Sequence, residues 1–329
     1  MLKRILICAI LGTTCVVLPA WGVELTPFSV RNLSPPALTK GLPVAESVRL
    51  NQPGQTSARL GFDISSIASD NHRDDELIVL DGETYVATLG LRYGLAEHLQ
   101  VGFDLPWIWQ SKGFLDNFIE NYHDFFGLPN GDRNNMSNNQ INFLYTSSDG
   151  DDFLLDHETN SIGDVRLLAA WQWLDTEQTA ASLQASIKAP TGDSDKFTGS
   201  GGWDISLALS AQRDFPLEKG GASLWGGLGG SWLSDGDVLQ DRVENWAASG
   251  WLGAGWSPLD WLGLKLQLDS HSALYDSDLK EIGNAALIIT MGGTLGLGEA
   301  TVLNIGVGED LATSTSPDVV FHLNLGHKF

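Results

Sequence analysis

The fold class predicted by this sequence is all-β: a transmembrane antiparallel up-and-down β-barrel, most simply of 12 strands, with a short helix in its long second extracellular loop. Three features predict it. Segments of about 10 to 14 residues alternate apolar and polar side chains, the period-two pattern of a strand with two unlike faces. Their connections alternate between short and long without exception, and tryptophan gathers at segment ends.

Taken in order, the first element is a leader. MLKR is positively charged, ILICAILGTTCVVLPA is apolar, and Ala20-Trp21-Gly22 offers small residues around a cleavage point before Val23, so residues 1–22 read as a secretory signal peptide. Ile5 to Ala20 spans 16 residues, short of a transmembrane helix, and no later run is comparable. Any membrane crossing is therefore made by strands. Both cysteines, Cys8 and Cys15, fall in the leader, which leaves the mature chain without thiols or disulfides. Removing Lys3 and Arg4 with the leader takes the formal charge from -22 to -24 over the 307 residues 23–329. Such acidity disfavours nucleic acid as a partner.

Residues 23–57 come next, with five prolines and few strand signals. Two readings stand: a periplasmic lead-in, which is the simpler, or a plug folded up into the barrel.

Twelve alternating segments follow within 58–329: 58–67, 84–94, 98–109, 163–174, 179–190, 203–214, 221–233, 246–257, 261–271, 284–296, 300–309 and 318–329. LGLKLQLD is typical, with Leu262, Leu264, Leu266 and Leu268 opposed to Lys265, Gln267 and Asp269. The polar parity is rich in glycine, serine and charge. A soluble sandwich alternates too, but outer-membrane barrels pair short periplasmic turns with long outer loops and an even strand count. The long connections at 68–83, 110–162, 234–245 and 272–283 carry a net charge of -16 with Glu83 left out, so the acidity sits on one end. Trp107, Trp109, Trp203, Trp232 and Trp246 flank long loops, and Trp171, Trp173, Trp256 and Trp261 flank short turns. Two interfacial aromatic girdles are expected; Trp225 and Trp251 are the exceptions. The last strand runs to Phe329 because a sheet in lipid must close, first strand on last, to leave no unpaired edge. Outward Phe321, Leu323, Leu325 and Phe329 form a terminal pattern of the kind that outer-membrane assembly machinery reads.

Blocks such as PFSVRNLSPP, VLDGETYVATLGLRYGL, GFLDNFIENYHDFFGLPNG, LQASIKAPTGD with GSGGWD, LKLQLDSHSALYDS and VGEDLATSTSPDVVFHLNLG resemble a bacterial outer-membrane family catalogued only as a domain of unknown function. The resemblance covers nearly all of the mature chain. Ser161-Ile162-Gly163-Asp164 followed by Ala189-Pro190-Thr191-Gly192-Asp193 is similar, over a shorter stretch, to barrels of aromatic-degradation operons with assigned transport roles. Neither resemblance supplies functional residues.

The polar parity places Arg59, Arg92, Arg166, Lys188 and Lys265 in the lumen with Asp63, Asp104, Asp164, Asp204 and Asp269. They either pair with one another, since an uncompensated buried charge is costly, or line a constriction that selects a solute. In KGFLDNFIENYHDFFGLPNG, Phe114, Phe118, Tyr122, Phe125 and Phe126 recur at helical spacing, with a stop at Gly127 and Pro129. This helix is expected to cap or gate the pore mouth. Acidic loop residues around Asp74, Asp151 and Asp235 offer oxygen ligands for loosely bound Ca2+ or Mg2+, or for cation bridges to lipopolysaccharide phosphate, but none has a complete calcium-loop spacing. No other cofactor is indicated, and no catalytic residue is assigned.

Three functions are compatible with this pattern. The first is a pore or transporter in the outer membrane for a small solute, apolar or aromatic in its narrower form. The second is a surface hydrolase using loop acids with His72, His123 or His157, although no hydrolase, zinc-protease or phosphate-loop motif occurs. The third is a structural or adhesive barrel with cation-binding loops.

Overall fold

The structure is a computed structural model, and it describes residues 23–127, 131–150, 152–311 and 314–329. The predicted signal peptide lies outside these. Among the described residues the wall is made by β1 (Thr56–Arg73), β2 (Glu76–Ala96), β3 (Leu99–Ser111), β7 (Val165–Asp175), β8 (Thr179–Ala189), β9 (Asp204–Pro216), β10 (Gly221–Leu233), β11 (Trp246–Leu259), β12 (Leu262–His271), β13 (Ala286–Gly296), β14 (Thr301–Asp310) and β15 (Val319–Lys328). Each pairs antiparallel with its neighbours in sequence. The ring closes where β1 meets β15 in unbroken register from Ser57↔Lys328 to Ser66↔Val319. The N–H of Phe329 donates to the carbonyl of Thr56 at 2.8 Å, so the last residue of the chain takes part in closure.

The two faces of this wall differ as alternation requires. Leu60, Leu209, Leu252 and Leu266 stand exposed on the outside, and Leu228 is 75% exposed. Each such side chain would forfeit about 1.5–3 kcal/mol in water, whereas hydrocarbon accepts it at no cost. The inner face carries buried Arg92, Asp104, Lys188, Asp204, Lys265 and Gln267. Trp171, Trp173, Trp203, Trp246, Trp256 and Trp261 point outward near strand ends, while Trp225 and Trp251 point inward and are buried.

Two connections and the start of one strand differ from expectation. The predicted loop 68–83 is a continuation of β1 and β2, paired from Ile67↔Gly82 to Arg73↔Glu76 and turned at Asp74-Asp75. Its charges disguise a strand pattern whose Ile78 and Leu80 are fully buried above the wall. Within 110–162 lie β4 (Asn142–Thr146), which adds to this extension, and β5 (Phe153–Leu155), which pairs with β4. The segment expected from 163 starts earlier, as β6 (Thr159–Ile162) against the outer half of β3. Between β6 and β7 the chain dips inward at Gly163-Asp164 opposite Pro106, which has no N–H to give to a ladder; the N–H of Gly163 donates to the Pro106 carbonyl at 2.8 Å.

Above the wall, Ile78, Leu80, Phe143, Tyr145, Leu233, Leu239, Tyr275 and Leu279 form one apolar cluster. The outer loops thus make a packed lid. It is pinned by Glu76, which accepts from Tyr145 Oη at 2.7 Å and Ser277 Oγ at 2.7 Å and pairs with Arg242. Burial pushes the Glu76 carboxyl upward, but these two hydrogen bonds and the Arg242 guanidinium together hold it below the ordinary range.

Candidate functional site

The interior is occupied by the chain's own N-terminal segment. The lead-in reading gives way here to contacts along the whole height of the lumen, because residues 23–55 make hydrogen bonds that a strand-poor, proline-bearing chain cannot make with itself. At the end marked by the short turns, Glu24 pairs with Lys328 at 2.5 Å. Rising from there, the Leu25 carbonyl accepts from Gln212 Nε2 at 3.1 Å and the Thr26 carbonyl from Lys265 Nζ at 3.0 Å. Phe28 is bracketed by one side chain: its N–H donates to Gln267 Oε1 at 2.9 Å and its carbonyl accepts from Gln267 Nε2 at 2.9 Å. Asn32 Nδ2 donates to His271 Nε2 at 3.0 Å and to the Thr315 carbonyl at 2.8 Å.

The apex is the single turn α1 (Pro35–Leu38), whose Ala37 joins the lid cluster and whose Pro36 carbonyl accepts from Tyr275 Oη at 3.1 Å. Past it, Lys188 Nζ donates to the Thr39 carbonyl at 2.8 Å, and Arg166 donates to the carbonyls of Lys40 and Leu42 at 2.9 and 2.8 Å. The Gly41 N–H donates to Asp204 Oδ2 at 2.6 Å, and its carbonyl accepts from Ser231 Oγ at 3.4 Å. The chain then descends. Glu46 meets Arg92 at 2.6 Å and Arg59 at 3.1 Å, and Arg49 bridges Asp175 and Asp214, both at 2.8 Å, beside the short turns. The segment is therefore a hairpin that enters and leaves at one end of the barrel.

Side chains complete the fit. Leu25 and Ala45 pack with inward Trp225 and Trp251, and Leu33 and Leu38 pack with Val86, Ile108 and Val320. The buried Phe28 ring lies under Lys265 Nζ, 3.9 Å from its centroid. Luminal glycines make room: a Cβ at Gly263 would come within 2.5 Å of the Leu25 side chain, and one at Gly229 within 2.7 Å of the Pro43 ring. Between hairpin and wall a cavity of about 40 Å³ remains, lined by Arg31, Asn32, Leu38, Trp251, Asp269 and His271. A larger hollow, about 540 Å³, lies on the outside of the wall and is bounded by Phe62, Tyr85, Trp109 and Glu158.

The ten luminal charges divide into three kinds. Some pair across the wall: Asp104 with Arg59 and Arg92, both at 2.9 Å, Lys188 with Asp164 at 2.7 Å and Asp204 at 3.1 Å, and Asp63 with His322. Others meet neutral groups, as Lys265 does at Asn304 Oδ1 (2.7 Å) and Asp269 at Gln267 Nε2 (2.9 Å). Arg166 serves the hairpin alone, through its two carbonyl bonds. Sequence reasoning missed Glu46, Gln212, Gln267 and Tyr275 as hairpin contacts. The glycine-rich polar parity was the available signal, since a barrel filled by its own side chains has no use for it.

The aromatic helix is elsewhere. It forms as α2 (Asp116–Phe126) and ends at Gly127 in the left-handed region, but it stands on the outside of the wall instead of over the pore mouth. Leu115 and Ile119 pack on Val319, Ile64, Val307 and Phe321, all outward residues of β1, β14 and β15, and Phe118 contacts the Phe321 ring. Glu83 holds the start of this segment by accepting from the N–H groups of Phe114 and Leu115 at 2.7 and 2.5 Å. Behind the helix, buried Arg133 pairs with Asp116, with Asp318 at 2.6 Å, and with Ser66 Oγ at 3.1 Å. Phe114, Phe118, Tyr122 and Phe125 are exposed on the outer surface, so as placed they gate nothing; Phe126 is the last helical residue. The physical reason is that two apolar flanks need two partners, and the barrel wall and its lipid surroundings supply both. Phe321 is thus partly covered, while Leu323, Leu325 and Phe329 remain exposed on the outer face.

The histidines of the hydrolase reading are dispersed: exposed His72 in the β1 extension, buried His123 on α2, and exposed His157 beside Asp156 before β6. Among the described residues no group of three or more acidic, histidine or cysteine side chains is placed to hold a metal ion.

The model of one protein family matches residues 5–329. The chain belongs to that family, described as Protein of unknown function (DUF3187). No curated protein matches it in sequence. Among solved structures the family member is similar to the COG4313 outer membrane channel from Pseudomonas putida F1, at 14% identity, with 86% of this chain and 98% of that one covered and a TM-score of 0.55. It is also matched to the KdgM porin (8% identity, 83% and 99% covered, TM-score 0.44) and to the Pseudomonas putida toluene transporter TodX (11%, 84% and 88%, TM-score 0.36). The first likeness establishes the fold, which is that of outer-membrane barrels.

Proposed function

We propose that this family member is an outer-membrane pore for a small solute, closed at rest by its own N-terminal hairpin. The observation that carries the reading is that the lumen is filled by a separable segment packed among the wall side chains, and not by wall side chains alone. A 12-stranded cylinder lies between the filled eight-stranded barrel and the open sixteen-stranded one, so withdrawing the hairpin leaves a polar passage. The aromatic residues that suggested an apolar solute stand outside the lumen, and the solute is better read from the wall. The acidic outer loops are assigned to cation-bridged contact with lipopolysaccharide phosphate, and Phe321, Leu323, Leu325 and Phe329 to recognition by the assembly machinery.

A tether tests the pore. Residues 23–329 contain no cysteine, so Pro43→Cys with Gly229→Cys creates a unique pair where the two positions almost touch. In planar bilayers the oxidised double variant should be silent, and reduction should restore the openings of the untethered chain. Equal currents before and after reduction, with the crosslink verified by mass, would refute closure by the hairpin. Absence of openings in the wild-type chain and in a chain lacking 23–50 would refute the pore.

A further inference from the structure

We infer that the lumen wall is a binding surface for extended peptide, so that the solute class of this pore is an unfolded, proline-tolerant oligopeptide; this rests on the pore reading for its role in passage, but not for binding. The hairpin is itself a bound peptide, and the chemistry that holds it is chemistry of the main chain. The carbonyls of eight residues between Leu25 and Leu42 accept from wall or lid side chains, whereas four hairpin N–H groups, those of Phe28, Gly41, Leu50 and Asn51, donate to wall side chains. Donors therefore outnumber acceptors two to one on the protein side. That bias suits a proline-bearing chain, in which every residue offers a carbonyl and prolines offer no N–H.

Geometry narrows the class further. Gln267 grips both the N–H and the carbonyl of a single residue, the two-bond arrangement that one extended strand offers another. It needs a backbone whose N–H and carbonyl point the same way, which a peptide supplies at every second residue and a sugar does not supply at all. Arg166 spans two carbonyls two residues apart, Lys40 and Leu42, again a repeat of extended chain. Since none of these bonds reads a side chain, the wall should accept sequences other than its own. Two subsites do read charge: Arg59 and Arg92 around Glu46 favour an acidic residue at that point, and Asp175 with Asp214 around Arg49 favour a basic one three residues on.

The test uses the whole chain, folded first and opened afterwards. Residues 52–54 are exposed and form a turn, so a specific protease site placed between Pro53 and Gly54 frees the hairpin after folding. The cut barrel in detergent is titrated with a fluorescent peptide of residues 23–50, with a peptide of the same composition in which Glu46 and Arg49 keep their places and the other residues are scrambled, and with an oligosaccharide of similar mass, and binding is read by anisotropy or competition. The two peptides should bind within about tenfold of each other and the sugar at least a hundredfold more weakly, while Q267L should weaken both peptides alike. Binding of the native sequence alone, equal binding of the sugar, or no exchange of labelled peptide into the cut barrel would each overturn the inference. Because the readout is binding, a barrel that takes peptide yet never conducts would refute the pore and leave the binding surface standing; one that conducts but takes no peptide would do the reverse.

Discussion

Glu46→Gln is the sharpest probe of hairpin closure, because shape is kept and only charge is lost. The Glu46 carboxylate takes Arg92 Nη2 at 2.6 Å, Arg92 Nε at 3.1 Å and Arg59 Nη1 at 3.1 Å, while both arginines also hold Asp104 on the wall. Charge-assisted bonds contribute about 1.5–3 kcal/mol each, and stripping one partner from a fully buried pair costs about 3–5 kcal/mol. These side chains keep between 9 and 18% exposure, so screening places the loss near the low end, about 2–3 kcal/mol. If the loss falls on the closed state alone, the open population rises roughly 30- to 150-fold, at 1.4 kcal/mol per decade. Single-channel recording of reconstituted protein measures this as open probability. The wall partner predicts the opposite sign: Asp104→Asn frees both arginines for Glu46 and should lower open probability. An unchanged open probability in Glu46→Gln, with the barrel intact by heat-dependent gel mobility, would refute hairpin closure through this cluster, as would the same sign in both variants.

Other expectations concern the fit, the outer helix α2 and the lid. Gly229→Val drives a branched side chain into the Pro43 ring and should raise open probability at little cost to barrel stability, read by recording and by denaturant unfolding. Arg133→Ala leaves Asp116 and Asp318 without their cation and should lower unfolding stability by about 3–5 kcal/mol while conductance stays as in wild type; a loss under about 1 kcal/mol would mean α2 is not anchored through Arg133. For the lid, Glu76 has a folded value held below its ordinary 4.5, so its contribution is complete above that pH and fades as pH falls through the folded value. Acidification from pH 4.5 downward should therefore progressively expose the outer loops to protease, and Glu76→Gln should expose them at neutral pH and flatten the acid response.

Much of the wall was legible from alternation, because hydrocarbon outside and polar filling inside impose period two at nearly every residue. LGLKLQLD on β12 and VVFHLNLG on β15 read directly, as did the need for the final strand to close the ring. What escaped was whatever depends on two segments far apart in sequence. The extension of β1 and β2 hid because its solvent side is charged, and only the lid explains why Ile78 and Leu80 are buried. The helix was recognisable in Phe118 and Tyr122, but spacing reports that a stripe is apolar and not which surface receives it; the partner, Val319 with Phe321, lies some two hundred residues away. The hairpin was least visible. Its bonds run through carbonyls that every residue possesses, so no side-chain pattern in 23–55 announces them, and the complementary mark, glycine on the inner parity at Gly229 and Gly263, sits on other strands.

The hairpin's two legs leave through the same end of the barrel, and this decides how it yields to force. A tug on the leg that carries residue 23 strains the Glu24 pair with Lys328 first, then the Leu25 and Thr26 contacts and those of Phe28 and Asn32, and reaches the apex last. Attachments broken in succession resist far less than the same attachments sheared together, so extraction requires only the force that parts the strongest local group. A cork set crosswise would need every bond to fail at once; this one peels like tape.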